Sequence, residues 1–303
     1  MAPIMSRTAS PAFAFSVAAA GIGFFSLMDA AMKDLVIALG VYNAVIWRNM
    51  IGSVITGALF VGTKSAWPQI GVLRLHAWRS VVVAVMAISF FWALGRLPLA
   101  EAIGLSFIAP VIALYLAAIL LGEKIGREAI IASIAGLGGV AIILFGKFSG
   151  EYEAGALWGV AAVLISAVVY AYNLVLARQQ AQVAGPIEIA FFQNLLVSAV
   201  LMLAGPWLLT PFALDKLPML FAAAALAVIA LLLLSWAYAR AEAQILIPVE
   251  YTAFVWAALF GWWFFAEPLT VWTVVGTALI VAGSLVAVRV KPHAVNHVEI
   301  TSA

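Results

Sequence analysis

The sequence predicts an all-α integral membrane protein: ten transmembrane helices arranged as two inverted five-helix repeats, with both termini cytoplasmic. Three observations lead there. Of 303 residues, 66% are hydrophobic and 9% charged, with a mean hydropathy of +1.16, which is outside the range of soluble domains. The apolar residues come in runs of about 20, the length in which a helix crosses a hydrocarbon core. The chain also repeats itself at a shift of 144 residues, setting Trp92 on Trp236, Arg96 on Arg240 and Glu123 on Glu267.

Lys/Arg, Pro and Gly punctuation divides the chain into spans near residues 11–32, 40–62, 78–96, 99–121, 126–146, 155–177, 186–205, 218–239, 243–265 and 269–288. The run from Pro11 follows Arg7 as in a signal peptide. It is read instead as a retained first helix, being longer than an h-region and followed by many spans. Orientation follows from the basic residues. With the N-terminus inside, Arg7, Lys64, Arg74, Arg79, Lys124, Arg127, Arg178, Arg240, Arg289 and Lys291 fall on the cytoplasmic side, most of the 15 Lys and Arg. The same shift sets Asp29 against Asn173, and a shift of 145 sets Arg48 and Asn49 against Gln193 and Asn194. Five spans in each half insert the second half upside down, which suits a protein that opens alternately to both sides. The expected units are residues 1–150, 151–290 and a polar cytoplasmic tail, 291–303.

With these features the chain resembles the drug/metabolite transporter superfamily, and within it the ten-helix EamA group of exporters. The resemblance rests on the two halves, on Lys33 and Arg48, and on the segment LPLAEAIGLSFIAPVIALYLAAILLGEK with Pro110 in mid-helix and Gly122-Glu123 at the exit. Ala266-Glu267 is the second-half counterpart. Glu250 stands where the group often has Glu-Pro; here Tyr251 replaces the proline, and Pro248 is the alternative break. The resemblance implies a transporter of the cell inner membrane, multi-pass and bacterial, with aromatic amino-acid exporters as the nearest comparison.

Charges inside spans cost about 2.5–3.5 kcal/mol each on insertion scales, so each needs a partner or a wet cavity. Asp29 and Arg48, at similar depths below the outer surface, are expected to form a charge pair, joined by Lys33 one turn from Asp29; the alternatives are a helix fastener or a coupling site. Glu101 and Glu188 open their spans, where the helix dipole and headgroup water favour a carboxylate. Glu123 and Glu267 close theirs and are expected to bond neighbouring loops or helix N-termini. The deep aromatic and polar residues Trp92, Ser106, Phe107, Tyr170, Asn173, Trp236, Tyr238, Glu250, Tyr251 and Trp256 form a candidate substrate cavity, with ordinary helix packing as the alternative for each. Glu250, flanked by Pro248 and Tyr251, is equally a cargo contact, a proton carrier or a helix–helix bond. Pro110 and Pro248 are candidate helix bends. Gly139 in the fifth span and Gly276 in the tenth allow close helix approach, within the chain or in a dimer.

The residues argue against an enzyme. Cysteine is absent, the three His have no metal-ligand spacing, Ser106 has no membrane-embedded His to activate it, and no phosphate-binding glycine loop is present. No cofactor, metal or nucleic acid is expected. The partners are a small-molecule substrate and the lipid bilayer, with monomer and dimer both open. The leading reading is a secondary transporter exporting small amphipathic metabolites, amino acids including aromatic ones foremost. The alternatives are an exporter of other metabolites or drugs, a non-transporting structural or partner-binding membrane protein, and a channel, which would need a continuous polar lining.

Overall fold

The computed structural model describes residues 11–109, 112, 115–116, 127–148, 155–211, 214–238, 249 and 252–288. All regular structure among them is helical: α1 (Pro11–Leu39), α2 (Val41–Gly62), α3 (Ile70–Leu94), α4 (Leu99–Ser106), α5 (Arg127–Phe148), α6 (Ala156–Val183), α7 (Pro186–Met202), α8 (Leu217–Tyr238), α9 (Thr252–Phe265) and α10 (Val271–Val288), with two short turns at Gly205–Leu208 and Leu214–Lys216. Five of the described helices are long and apolar enough to cross a membrane, those of α1, α2, α3, α6 and α8; the apolar stretches of α5, α7, α9 and α10 are shorter.

Several boundaries differ from the sequence expectation, among them the end of α6, at Val183 rather than 177, and those at α1 and α3. Helix α1 continues past residue 32 to Leu39, and a single non-helical residue, Gly40, turns the chain into α2. Its φ of +77° lies in the left-handed region that glycine enters without steric penalty. Helix α3 begins at Ile70, eight residues before the expected start, so His76 belongs to the helix rather than to the loop before it; His76 and Arg79 are both almost fully buried.

The packing is mirrored between halves. Helix α1 lies against α8 as α6 lies against α3; α2 meets α8 as α7 meets α3; α1 meets α9 as α6 meets α4; α2 pairs with α7 and α5 with α10. One contact shows the correspondence in atoms. Ser166 of α6 donates its hydroxyl to the Met86 carbonyl at 3.0 Å. The 144-residue shift takes Met86 to Ala230 and Ser166 to Ile22, the neighbour of Gly21, and a Cβ on Gly21 would lie 3.4 Å from the Ala230 carbonyl oxygen. Helices α5 and α10 approach backbone to backbone, and a Cβ on Gly139 would sit 2.4 Å from the Gly276 carbonyl oxygen. The two glycines thus serve packing within the chain.

Helix α4 loses its α-helical bonding at Phe107 and Ile108, whose N–H groups reach back only to Gly104 and Leu105. Pro110 follows in sequence, and a proline ring clashes with the carbonyl four residues earlier, here that of Ser106, the last residue of α4. At the ends of the bundle Trp67, Trp158, Trp207, Trp262 and Trp263 are exposed, as headgroup-level aromatics would be.

Candidate functional site

Two polar clusters join the halves, one at each end of the bundle. At the end where α1 finishes, the Lys33 ammonium pairs with the Glu267 carboxylate and donates to the Leu97 carbonyl at 2.6 Å. The other Glu267 oxygen accepts the Leu99 N–H at 2.8 Å, at the positive N-terminus of α4. Glu267 reaches this position because α9 closes on Ala266, whose φ of +51° turns the chain sharply. Its own N–H then bonds the Gly261 carbonyl at 3.1 Å. The Phe265 ring lies 5.3 Å from the ammonium. One carboxylate therefore ties α1, the α3–α4 connection and the α9–α10 connection together. Lys33, expected beside Asp29 and Arg48, is drawn to Glu267 instead, because the longer α1 carries it to that end.

At the end where α3 begins, a chain of hydrogen bonds crosses from α7 through α3 to α6. His76 Nε2 meets Glu188 Oε1 at 3.0 Å, His76 Nδ1 meets the Gln180 side-chain nitrogen, Gln180 Oε1 meets Arg79, and Arg79 Nε donates to Asn173 Oδ1 at 2.9 Å. The polarity is fixed by chemistry. Arginine only donates, so Gln180 turns its oxygen to Arg79 and its NH2 to His76. Nδ1 then accepts, and the imidazole proton sits on Nε2, donated to Glu188. His76 and Gln180 are each 1% exposed, and the imidazole stacks on Phe192 at 5.0 Å. Glu188, expected at headgroup level at the start of its span, is partly buried there and accepts from a buried histidine. Glu101, expected in similar surroundings, is likewise buried.

Asp29 and Arg48 lie within electrostatic reach of each other, but no hydrogen bond or ion pair joins them. Arg48 contacts the Met28 sulfur and Asn49 Oδ1, each at 3.4 Å, and lies 5.6 Å from the Phe91 ring centre. Its Nε is buried without a partner.

The candidate cavity residues separate into groups. Asn173 belongs to the Arg79 chain, and Tyr170, one turn away, lies within electrostatic reach of the same guanidinium. Trp236 and Trp256 share a small apolar cluster with Ala18, Ile22, Ala237 and Val249, Trp236 meeting Phe13 edge-on and Trp256 packing on Gly23. Ser106 bonds its own helix at the Ala102 carbonyl, 2.8 Å away, and Phe107 is buried. Trp92 stands near the opposite end from Trp236, with the Arg96 guanidinium 3.5 Å from its ring centre. Trp92 and Trp236, inverted copies of one position near a helix end, stand toward opposite ends of the bundle. Glu250, Tyr251, Pro110, Pro248, Glu123 and the side chain of Tyr238 lie outside the described residues.

His76, Arg79 and Gln180 are the polar residues that sequence reasoning missed. Their signal was the spacing of His76 and Arg79, which places both on one face of a helix.

The geometry can be set against known proteins. Residues 12–145, and again 157–289, match the EamA-like transporter family. The chain is 28% identical over 270 residues to a pseudopaline exporter of Pseudomonas aeruginosa, covering 88% of this chain and 93% of that one. It is also 28% identical to an uncharacterized transporter of Helicobacter pylori, over 71% of this chain and 73% of the other. One solved crystal structure superimposes with a TM-score of 0.62 at 18% identity, over 91% of this chain and 98% of its own, a likeness of fold alone. The named relative is not specifically an aromatic amino-acid exporter, so the resemblance holds at the level of the family. The chain is a multi-pass membrane protein and belongs to the EamA-like transporter family.

Proposed function

We propose that this chain is a secondary transporter that exports small amphipathic metabolites, foremost amino acids including aromatic ones, by alternating access across the bacterial inner membrane. Ten spans, cytoplasmic termini and an inverted pair of repeats, residues 1–150 and 151–290, belong to this reading. The observation that carries it is the pair of buried polar clusters. Each joins the first half of the chain to the second, and they sit at opposite ends of the bundle. A carrier needs a separable contact at each end, and two mirrored packings of similar energy let either one open. A bundle without cargo gains little from such clusters, since well-packed apolar side chains hold helices together without the desolvation cost. The chain acts in this reading as a carrier and catalyses no covalent step.

Purified protein in liposomes, loaded with labelled phenylalanine, tryptophan or leucine, tests the proposal. Saturable, stereoselective efflux is expected. Absence of flux for every amino acid and for pseudopaline would leave the non-transporting reading in place. A second reading, export of a different metabolite, draws on the name of the Pseudomonas relative; flux of pseudopaline with none of any amino acid would favour it.

A further inference from the structure

The geometry points to Asp29 and Arg48 as the two poles of a binding site for a zwitterionic headgroup, an ammonium and a carboxylate one carbon apart. The inference rests on the exporter reading and adds where and by what chemistry cargo is held.

Both residues are partly buried and stand well inside the ends of their helices. Asp29 is ten residues before the end of α1 and Arg48 seven after the start of α2, roughly 15 Å and 10 Å at helical rise. Opposite charges at that depth ordinarily close on each other. These do not: Asp29 makes no hydrogen bond or ion pair among the described residues, although Arg48 reaches the adjoining residue, Met28, at 3.4 Å. Arg48 is equally undersupplied. Of its five donors, Nε has no acceptor, one terminal nitrogen reaches only the weakly accepting Met28 sulfur, and the other reaches Asn49 Oδ1 at 3.4 Å, a long contact. Asn49 is itself committed, its amide donating to the Val45 carbonyl at 2.8 Å.

The neighbours that could neutralise the pair are occupied or missing. Lys33, one turn along α1 from Asp29, is held by Glu267 and Leu97. In the other half, Asn173 stands where the repeat places Asp29, and it receives Arg79 from α3. The repeat takes Arg79 to Ala223 of α8, the helix against which α1 packs, so Asp29 has no cation across that interface. One copy of the interface is closed by a protein–protein bond, and the other holds a carboxylate with no donor among the described residues.

Two charges too far apart to touch, yet each short of partners, fit a ligand that carries both complementary charges. An ammonium donates to Asp29, and a carboxylate accepts from the terminal nitrogens of Arg48. Charge-assisted hydrogen bonds of about 2.7–2.9 Å at each pole span a gap wider than an ion pair of roughly 4 Å. Nε is enclosed, so the carboxylate approaches from the terminal nitrogens. The Phe91 ring centre, 5.6 Å from the guanidinium, gives the Arg48 pole an apolar neighbour.

The test uses full-length protein in detergent and competition against labelled phenylalanine by unlabelled phenylalanine, phenethylamine, which lacks the carboxylate, and 3-phenylpropionate, which lacks the ammonium. Wild type is expected to prefer phenylalanine at least tenfold over either analogue. Asp29→Asn is expected to abolish the advantage over phenylpropionate alone, and Arg48→Gln the advantage over phenethylamine alone. Asp29→Glu and Arg48→Lys, which keep the charges, are expected to retain both preferences at lower affinity, and they replace the first pair if those fail to fold. Equal weakening of all three ligands, or unchanged preferences in the Asn and Gln variants, would overturn the site. So would failure of all twenty amino acids to bind. Efflux of a non-zwitterionic cargo in that last case leaves the exporter reading standing, whereas absence of any flux removes both.

Discussion

Lys33 and Glu267 are buried enough that each depends on the other, with side chains 8% and 16% exposed. Removing one partner leaves a desolvated charge, which costs about 3–5 kcal/mol, whereas removing both leaves none. Glu267 carries a second duty, since it also receives the Leu99 N–H of α4. Lys33→Met is therefore expected to lower stability by about 3 kcal/mol. Glu267→Gln keeps an acceptor for Leu99 and loses the ion pair, with a similar loss. The double variant should recover a large part of what the single changes lose. Thermal unfolding in detergent checks this cycle, and strictly additive losses would show that the two side chains are not coupled. The other end obeys the same logic with different chemistry. Gln180 cannot be replaced by an apolar residue without leaving Arg79 and His76 each short of a partner.

At the scale of elements, the α5–α10 crossing depends on glycine at one position and not at the next. A Cβ on Gly139 would lie 2.4 Å from the Gly276 carbonyl oxygen, a backbone atom that cannot step aside without separating the helices. A Cβ on Gly138 would meet the Leu279 side chain at 3.4 Å, an ordinary contact. Gly139→Ala is therefore expected to destabilise by about 1–3 kcal/mol. Gly138→Ala should be close to neutral, since gaining a helix former offsets the added contact. Chemical or thermal denaturation of the two variants separates them, and equal effects would contradict the crossing. The sequence showed the existence of most helices, because runs such as Leu217–Tyr238 leave no other stable conformation in lipid. It misplaced the start of α3. Arg74, His76 and Arg79 within ten residues look like a polar loop. They are compatible with a helix only because Gln180 and Glu188, about a hundred residues away, satisfy His76 and Arg79. Pairing of that kind has no periodicity to detect. The Asp29 site was half legible for the same reason: the two charges were visible in the sequence, but not that Lys33 would be taken by Glu267 and Arg79 by Asn173.

For the whole molecule, the mirrored packing and the two end clusters make a specific claim about populations. If each cluster holds its own end shut, releasing one biases the molecule toward opening at that end, and because the halves move against each other the far end closes more often. Net coupling of about 1–3 kcal/mol changes relative populations by 5–150-fold. The chain has no cysteine, so single introduced thiols report access without background. Ser80, under the His76–Arg79 cluster, and Ala102, beyond the Glu267 clasp, are both buried and suited to replacement by cysteine. In liposomes, Lys33→Met with Glu267→Gln removes the clasp without stranding a charge. Labelling of Ala102→Cys by a membrane-impermeant maleimide should then rise severalfold, and labelling of Ser80→Cys should fall. Arg79→Met with Gln180→Met should reverse both changes. The opposing direction is the informative part. A general loosening of the bundle would raise labelling at both thiols together, and a purely structural pair of clusters would change neither, so either result would remove the clusters from the transport cycle.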